Sequence, residues 1–144
     1  MAYTTASGNA LIKLILQAIA IANLSDNAAS APLASLYISL HTSAPGTTGN
    51  QTSNEIAYTG YARLPVARSA AGWTVVNNEA TLVAAMEFFE MATGAGGTVT
   101  HIGIGTLVTG TGLLLLYGTV TPTIPVQAGV VPRLKTTTKV TFVL

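Results

Sequence analysis

The sequence predicts a mainly β protein, an antiparallel β-sandwich or jelly roll of about eight short strands preceded by one N-terminal hydrophobic α-helix. Three observations point there. Apolar and polar residues alternate in several short runs; Gly- and Pro-containing turns recur every ~8–14 residues; and helical periodicity is confined to the start of the chain. At 144 residues and 14.7 kDa the length suits one domain. The expected organisation is a helix and connector over 1–31 and a sandwich over 32–144, together forming a single structural unit.

Ser7 or Asn9 can cap a helix running through Asn23, because short polar side chains accept from the orphan N–H groups at a helix start. Leu11, Ile12, Leu14, Ile15, Leu16, Ile19 and Ile21 occupy most of its circumference, so the domain or a neighbouring subunit must cover it. The connector follows at Ser25–Pro32. Leu36, Ile38 and Leu40 then alternate with Tyr37, Ser39 and His41, the clearest half-buried strand in the chain. Ser43–Asn54, with Pro45-Gly46 and Gly49-Asn50, reads as an exposed loop.

Alternation resumes over Tyr58–Arg68, where Pro65 cannot donate to a ladder and so demands an edge or a bulge. Trp73–Val76 follows the Gly72 turn. Thr81–Phe89 is ambiguous between helix and strand, and its neighbours favour strand. Thr98–Thr106 is a strand with Ile102 and Ile104 on one face and His101, Gly103 and Gly105 on the other. Leu113–Tyr117 is an unbroken apolar run, the pattern of a central strand covered on both faces. Thr123–Val126 and Thr137–Leu144 would close the fold.

Composition excludes several functions. Apolar residues make up 49%, which rules out a disordered chain. The longest apolar run, Ala10–Leu24, contains Lys13 and Gln17 and falls short of the ~20 residues a bilayer requires; nor does it have the flanks of a signal peptide. Three Lys and three Arg against one Asp and four Glu leave a net charge of +1, with no basic face for nucleic acid. With no cysteine, the chain has neither disulfides nor thiolate sites. Only 8% of residues are charged where about 25% is usual, a neutral exterior that suits a subunit covered in an assembly.

The titratable residues have no catalytic spacing. His41 and His101 each lack a second metal ligand nearby and read as surface or inter-subunit residues. Glu87 and Glu90 point to opposite faces of a strand and make a poor acid–base pair. No Ser lies in a nucleophile elbow, and the glycines from Gly103 to Gly112 lack the Lys-Ser/Thr ending of a phosphate loop. Gly103 and Gly105 would also let another backbone approach His101 closely. The chain therefore reads as a non-enzyme without cofactor or metal. Its candidate interface residues are Leu11, Ile15 and Ile19 on the helix, the aromatics Tyr37, Tyr58, Tyr61 and Trp73, and His41, Arg63, Arg68 and His101.

Leu36-Tyr37-Ile38-Ser39-Leu40-His41-Thr42-Ser43-Ala44-Pro45-Gly46, Asn54–Arg63, Val66–Trp73, Ala92-Thr93-Gly94, Thr98–Gly105 and Leu115–Gly118 together resemble a family of small tailed-phage virion structural proteins. The resemblance covers roughly residues 33–135. Members are often labelled tail-fibre proteins, and the family is similar to jelly-roll cement or decoration proteins that clamp neighbouring capsid subunits. The resemblance implies a virion protein made in the bacterial host cytoplasm. Its expected place is the capsid surface, its partners the major capsid protein and copies of itself as dimer or trimer; attachment to the host as a tail-fibre protein is the alternative. Glu90, where the family pattern has proline after phenylalanine, and the helix at 10–24 depart from that pattern.

Overall fold

The computed structural model describes residues 4–21, 24 and 32–141. The connector at 25–31, the expected helix end at Asn23 and the last residues of the closing strand, 142–144, lie outside them. The chain divides into two compact units, each assembled from separated stretches of sequence. The first comprises Met1–Ser35, Ala67–Ala85 and Lys135–Leu144, and the second Leu36–Val66 and Met86–Leu134.

In the first unit, helix α1 spans Thr5–Gln17. Its N-cap is Thr4, in place of the expected Ser7 or Asn9. The Thr4 hydroxyl accepts from the Ser7 N–H at 3.2 Å while the Ser7 hydroxyl accepts from the Thr4 N–H at 3.0 Å, a reciprocal capping box. Asn9 is instead held by the fold: its Oδ1 accepts the Asn78 N–H at 2.6 Å. The helix stops at Gln17 because Ala18 turns left-handed, with φ 56°, and folds the chain back onto the Lys13 carbonyl. No basic residue lies in its last turn. Arg68 supplies that charge from elsewhere, donating from Nη2 to the Leu14 carbonyl and from Nε to the Ile15 carbonyl, both at 2.7 Å.

β3 (Trp73–Val76) and β4 (Glu79–Leu82) form an antiparallel hairpin, and β9 (Lys139–Thr141) adds to β4. Asn77 and Asn78 make the two-residue turn, both with positive φ, which asparagine tolerates better than most residues. The helix packs on this hairpin through Gly8, Ile12 and Leu16, against a core containing Trp73, Ala80 and Leu82. Gly8 is required there, since a Cβ would run into the Asn78 side chain.

The second unit is built on a four-stranded sheet in the order β2 (Leu64–Ala67), β1 (Ser35–His41), β6 (Gly97–Gly105), β7 (Leu114–Val126). β1 and β6 pair antiparallel with Ile38 opposite Ile104, and β6 and β7 with Ile104 opposite Leu116. A two-stranded ribbon joins β5 (Met86–Glu87) to β8 (Arg133–Leu134). The architecture is mainly β and antiparallel with one N-terminal helix, consistent with a β-sandwich. Pro65 lies in the edge strand β2, as its missing N–H requires.

Three expectations change. Thr81–Phe89 is interrupted after Leu82, so β4 and β5 belong to different units. Thr123–Val126 is the end of the long strand β7. Of the run Leu113–Tyr117, Leu114–Tyr117 opens that same strand at the sheet edge, with Leu113 just before it 64% and Tyr117 42% exposed. An apolar run shows that a strand can be buried, but its position in the sheet decides whether it is. No helix of the described residues is long and apolar enough to cross a membrane.

Removing the charge at the α1 C-terminus leaves two carbonyls without their donor. Arg68→Ala should lower stability by about 1–3 kcal/mol, whereas Arg133→Ala, which breaks an exposed pair with Glu87, should stay within about 0.5 kcal/mol. Urea unfolding followed by circular dichroism checks both.

Candidate functional site

Four polar residues of the second unit, Gln51, Glu55, Tyr61 and Arg63, converge on one cluster. Residues 54–56 run beside β1: the Thr42 N–H donates to the Asn54 carbonyl and the Ile56 N–H to the Leu40 carbonyl, each at 2.9 Å, placing Glu55 opposite His41. Tyr61 and Arg63, two apart in extended chain, both turn to the Glu55 carboxylate. Arg63 grips it with two bonds of 2.7 Å, Nε to Oε1 and Nη2 to Oε2. The Tyr61 hydroxyl donates to Oε1 at 2.8 Å and accepts the Leu40 N–H at 3.0 Å. The Arg63 and Glu55 side chains are only 3% and 13% exposed.

The remaining donors of Arg63 reach the loop joining β6 to β7. Nη1 donates to the Leu107 carbonyl at 3.1 Å and Nη2 to the Gly110 carbonyl at 2.9 Å. Gln51 does the same beside it, its Nε2 donating to the Leu107 carbonyl at 3.1 Å while its Oε1 accepts the Leu107 N–H at 2.9 Å. Its backbone N–H donates to the Gly112 carbonyl at 3.1 Å. The loop is thus tied down by an ion pair and an amide rather than by packing. Its own side chains face outward, with Leu107 49% and Val108 51% exposed.

His41 lies next to this cluster with no exposed surface. One ring nitrogen, Nδ1, is 2.9 Å from the Ser53 carbonyl and therefore carries the proton; the other, Nε2, accepts from the Ser39 hydroxyl at 2.8 Å. Burial holds the His41 pKa below its ordinary value, with Arg63 and His101 adding to the effect against the Ser53 carbonyl and Glu55. Burial also pushes the Tyr61 phenol up, and Glu55 reinforces it. The Glu55 carboxylate raises the pKa of Arg63, keeping it a permanent cation. With three donors on its oxygens, the carboxylate is suited to holding a loop.

The expected interface residues divide accordingly. His41, Tyr61 and Arg63 come together in the second unit, with the Tyr58 ring 5.4 Å from that of Tyr61. His41, Tyr58, Arg63 and Trp73 are buried by their own chain, where His41 was expected at a solvent or interface position and the other three were named as candidate interface residues. For His41 the reason is that the loop expected to be exposed, Ser43–Asn54, returns along β1 and brings the Ser53 carbonyl to the ring; Trp73 is covered in the first unit, where α1 packs on the hairpin. Tyr58 donates its hydroxyl to the Phe89 carbonyl at 2.9 Å. Tyr37, His101, Leu11, Ile15 and Arg68 are half-buried, and Ile19 is 49% exposed. His101 bonds to the neighbouring Thr100 hydroxyl and sits 6.5 Å from the Tyr117 ring.

The glycines opposite β1 also serve the chain itself. A Cβ at Gly105 would collide with the Gln51 side chain, and one at Gly103 would lie 2.6 Å from His41 Nε2 and 2.7 Å from Leu114. The close approach that these glycines permit is made by internal side chains. Glu87 forms an exposed pair with Arg133 at 3.3 Å, and Glu90 is exposed. Among the described residues no three His, Cys, Asp or Glu cluster as metal ligands. Sequence reasoning missed Glu55 and Gln51 as organising residues. One signal was present: Tyr61 and Arg63, two apart, fall on one face of the strand expected over Tyr58–Arg68, and Glu55 is the only acid between Asp26 and Glu79.

Arg63→Met should cost about 3–5 kcal/mol by stranding the buried carboxylate, and pairing it with Glu55→Leu should restore much of the loss. Urea unfolding of the single and double variants measures the coupling. For His41 the folded pKa lies below the unfolded value of 6.5, so its neutral form costs nothing above that pH. Below it the unfolded chain takes up the proton more readily, and stability falls. His41→Asn should flatten that slope between pH 6.5 and about 5, above the range where carboxylates protonate.

Comparison with curated proteins returns no match. The family described as Podophage GP4 fiber I protein gp80 matches residues 4–141, from the N-cap of α1 to the end of β9. The match therefore takes in both units, the buried cluster and the loop it holds, and the chain belongs to this family of tailed-phage virion structural proteins.

Proposed function

We propose that the protein is a structural subunit of a virion fibre, assembled with copies of itself and serving attachment to the host rather than catalysis. The observation that carries this reading is the match to a fibre protein family over residues 4–141. The chemistry of the chain agrees with it. Glu55, Arg63, Tyr61 and His41, the polar groups a catalytic site would draw on, are engaged with one another and with backbone carbonyls. The exterior keeps few charges and several large apolar residues.

A second reading has its own support. With 8% charged residues and a net charge of +1, the chain suits a cement or decoration protein on the capsid surface that stabilises the major capsid protein shell through neutral contacts. Neither reading involves nucleic acid or membrane. Gold labelling of a tagged chain on intact parent virions separates them. Label on projecting fibres is expected, label spread over the head would replace the fibre reading with the cement one, and its absence from virions would overturn both.

A further inference from the structure

We infer that the free edge of β7, over Leu114–Val120, is where a second copy of this chain docks, the two strands pairing antiparallel about a two-fold axis. The inference rests on the reading of the protein as a subunit that assembles with itself. β7 ends the order β2-β1-β6-β7, so among the described residues its backbone is paired with β6 on one side and with no strand on the other. An open edge presents unpaired N–H and C=O groups, and soluble proteins usually blunt it with charge, proline or a short strand.

The two edges of this sheet differ in that respect. β2 has four residues, one of them Pro65. β7 has thirteen, and its prolines, Pro122 and Pro125, come only after Val120. One irregularity, opposite Ile104 and Gly105, falls near the start of the stretch and another, opposite Val99–His101, follows Thr119, leaving Leu116–Thr119 in regular register with β6. From Met91 to Pro132 the chain holds no Asp, Glu, Lys or Arg. Nothing on the edge repels an identical strand.

The occupant follows from these differences. A head-to-tail contact of β7 on β2 would be limited to four residues and lack the Pro65 donor. β7 against β7 pairs the regular, proline-free run Leu116–Thr119 with its own copy, sets no like charges opposite one another, and closes as an isologous pair. The surface beside the edge is prepared for contact. Leu107, Val108, Leu113 and Tyr117 are 49%, 51%, 64% and 42% exposed. Leu107 belongs to the loop that Arg63 and Gln51 already hold by its carbonyls, so less ordering remains to be done on binding. A two-fold operator covers these residues on both copies at once.

The chain has no cysteine, so single thiols report the contact cleanly. Tyr117→Cys, Gly118→Cys and Thr119→Cys place one at successive exposed positions, and a side chain at 118 meets open space. Thr74→Cys on β3 is the exposed control. With the purified full chain we expect a dimer by sedimentation, a disulfide-linked dimer from at least one edge cysteine and none from the control. Thr119→Lys should abolish the dimer while leaving the circular dichroism spectrum unchanged. An oligomer that gives no edge cross-link and survives Thr119→Lys would overturn the β7 contact and leave self-assembly standing. A chain that stays monomeric at all concentrations would overturn both.

Discussion

The second unit depends on the ion pair between Glu55 and Arg63. A carboxylate and a guanidinium removed from water are tolerated only when their hydrogen-bonding groups are also satisfied, and here the partners do that. Glu55 takes two bonds from Arg63 and one from Tyr61, and Arg63 gives its remaining bonds to the carbonyls of Leu107 and Gly110. The pair thereby joins β1, the 54–63 segment and the β6–β7 loop. An apolar contact would have filled the same space without fixing the loop backbone at named carbonyls.

The same logic, polar side chains bonding to backbone ends, recurs in the first unit. Arg68 serves the last turn of α1, Gln17 Nε2 donates to the Trp73 carbonyl at 2.7 Å, and Asn9 receives the N–H of the Asn78 turn. Arg63 and Arg68 turn inward, where each satisfies two backbone carbonyls, while Glu87, Arg133 and Lys139 stay at the surface. The exterior carries few charges and scattered large apolar residues.

Much of the fold was legible because it depends on local periodicity. The alternation of Leu36, Ile38 and Leu40, the Pro65 edge, the Trp73–Val76 strand and the Ile102–Ile104 face all stand where the pattern placed them. The candidate site was less legible. Tyr61 and Arg63 were singled out as candidate interface residues, and Glu55 was not singled out. Their meeting depends on a loop that returns over β1 and on the 107–110 carbonyls, more than forty residues further along the chain.

The sequence alone determined the class: a mainly β chain with one helix at its start, a neutral exterior, and no charge pattern for nucleic acid. These follow from composition and from side-chain period, which need no knowledge of neighbours. Only the tertiary structure decided which faces are covered. His41 and Ser39 read as the outer face of a half-buried strand, yet both are enclosed because the 43–55 loop folds over them. Leu113–Tyr117 read as a central strand, yet it opens the edge because strand order is set by pairing between distant segments. Period states which way a side chain points along its strand; what it meets there depends on contacts that local sequence does not encode.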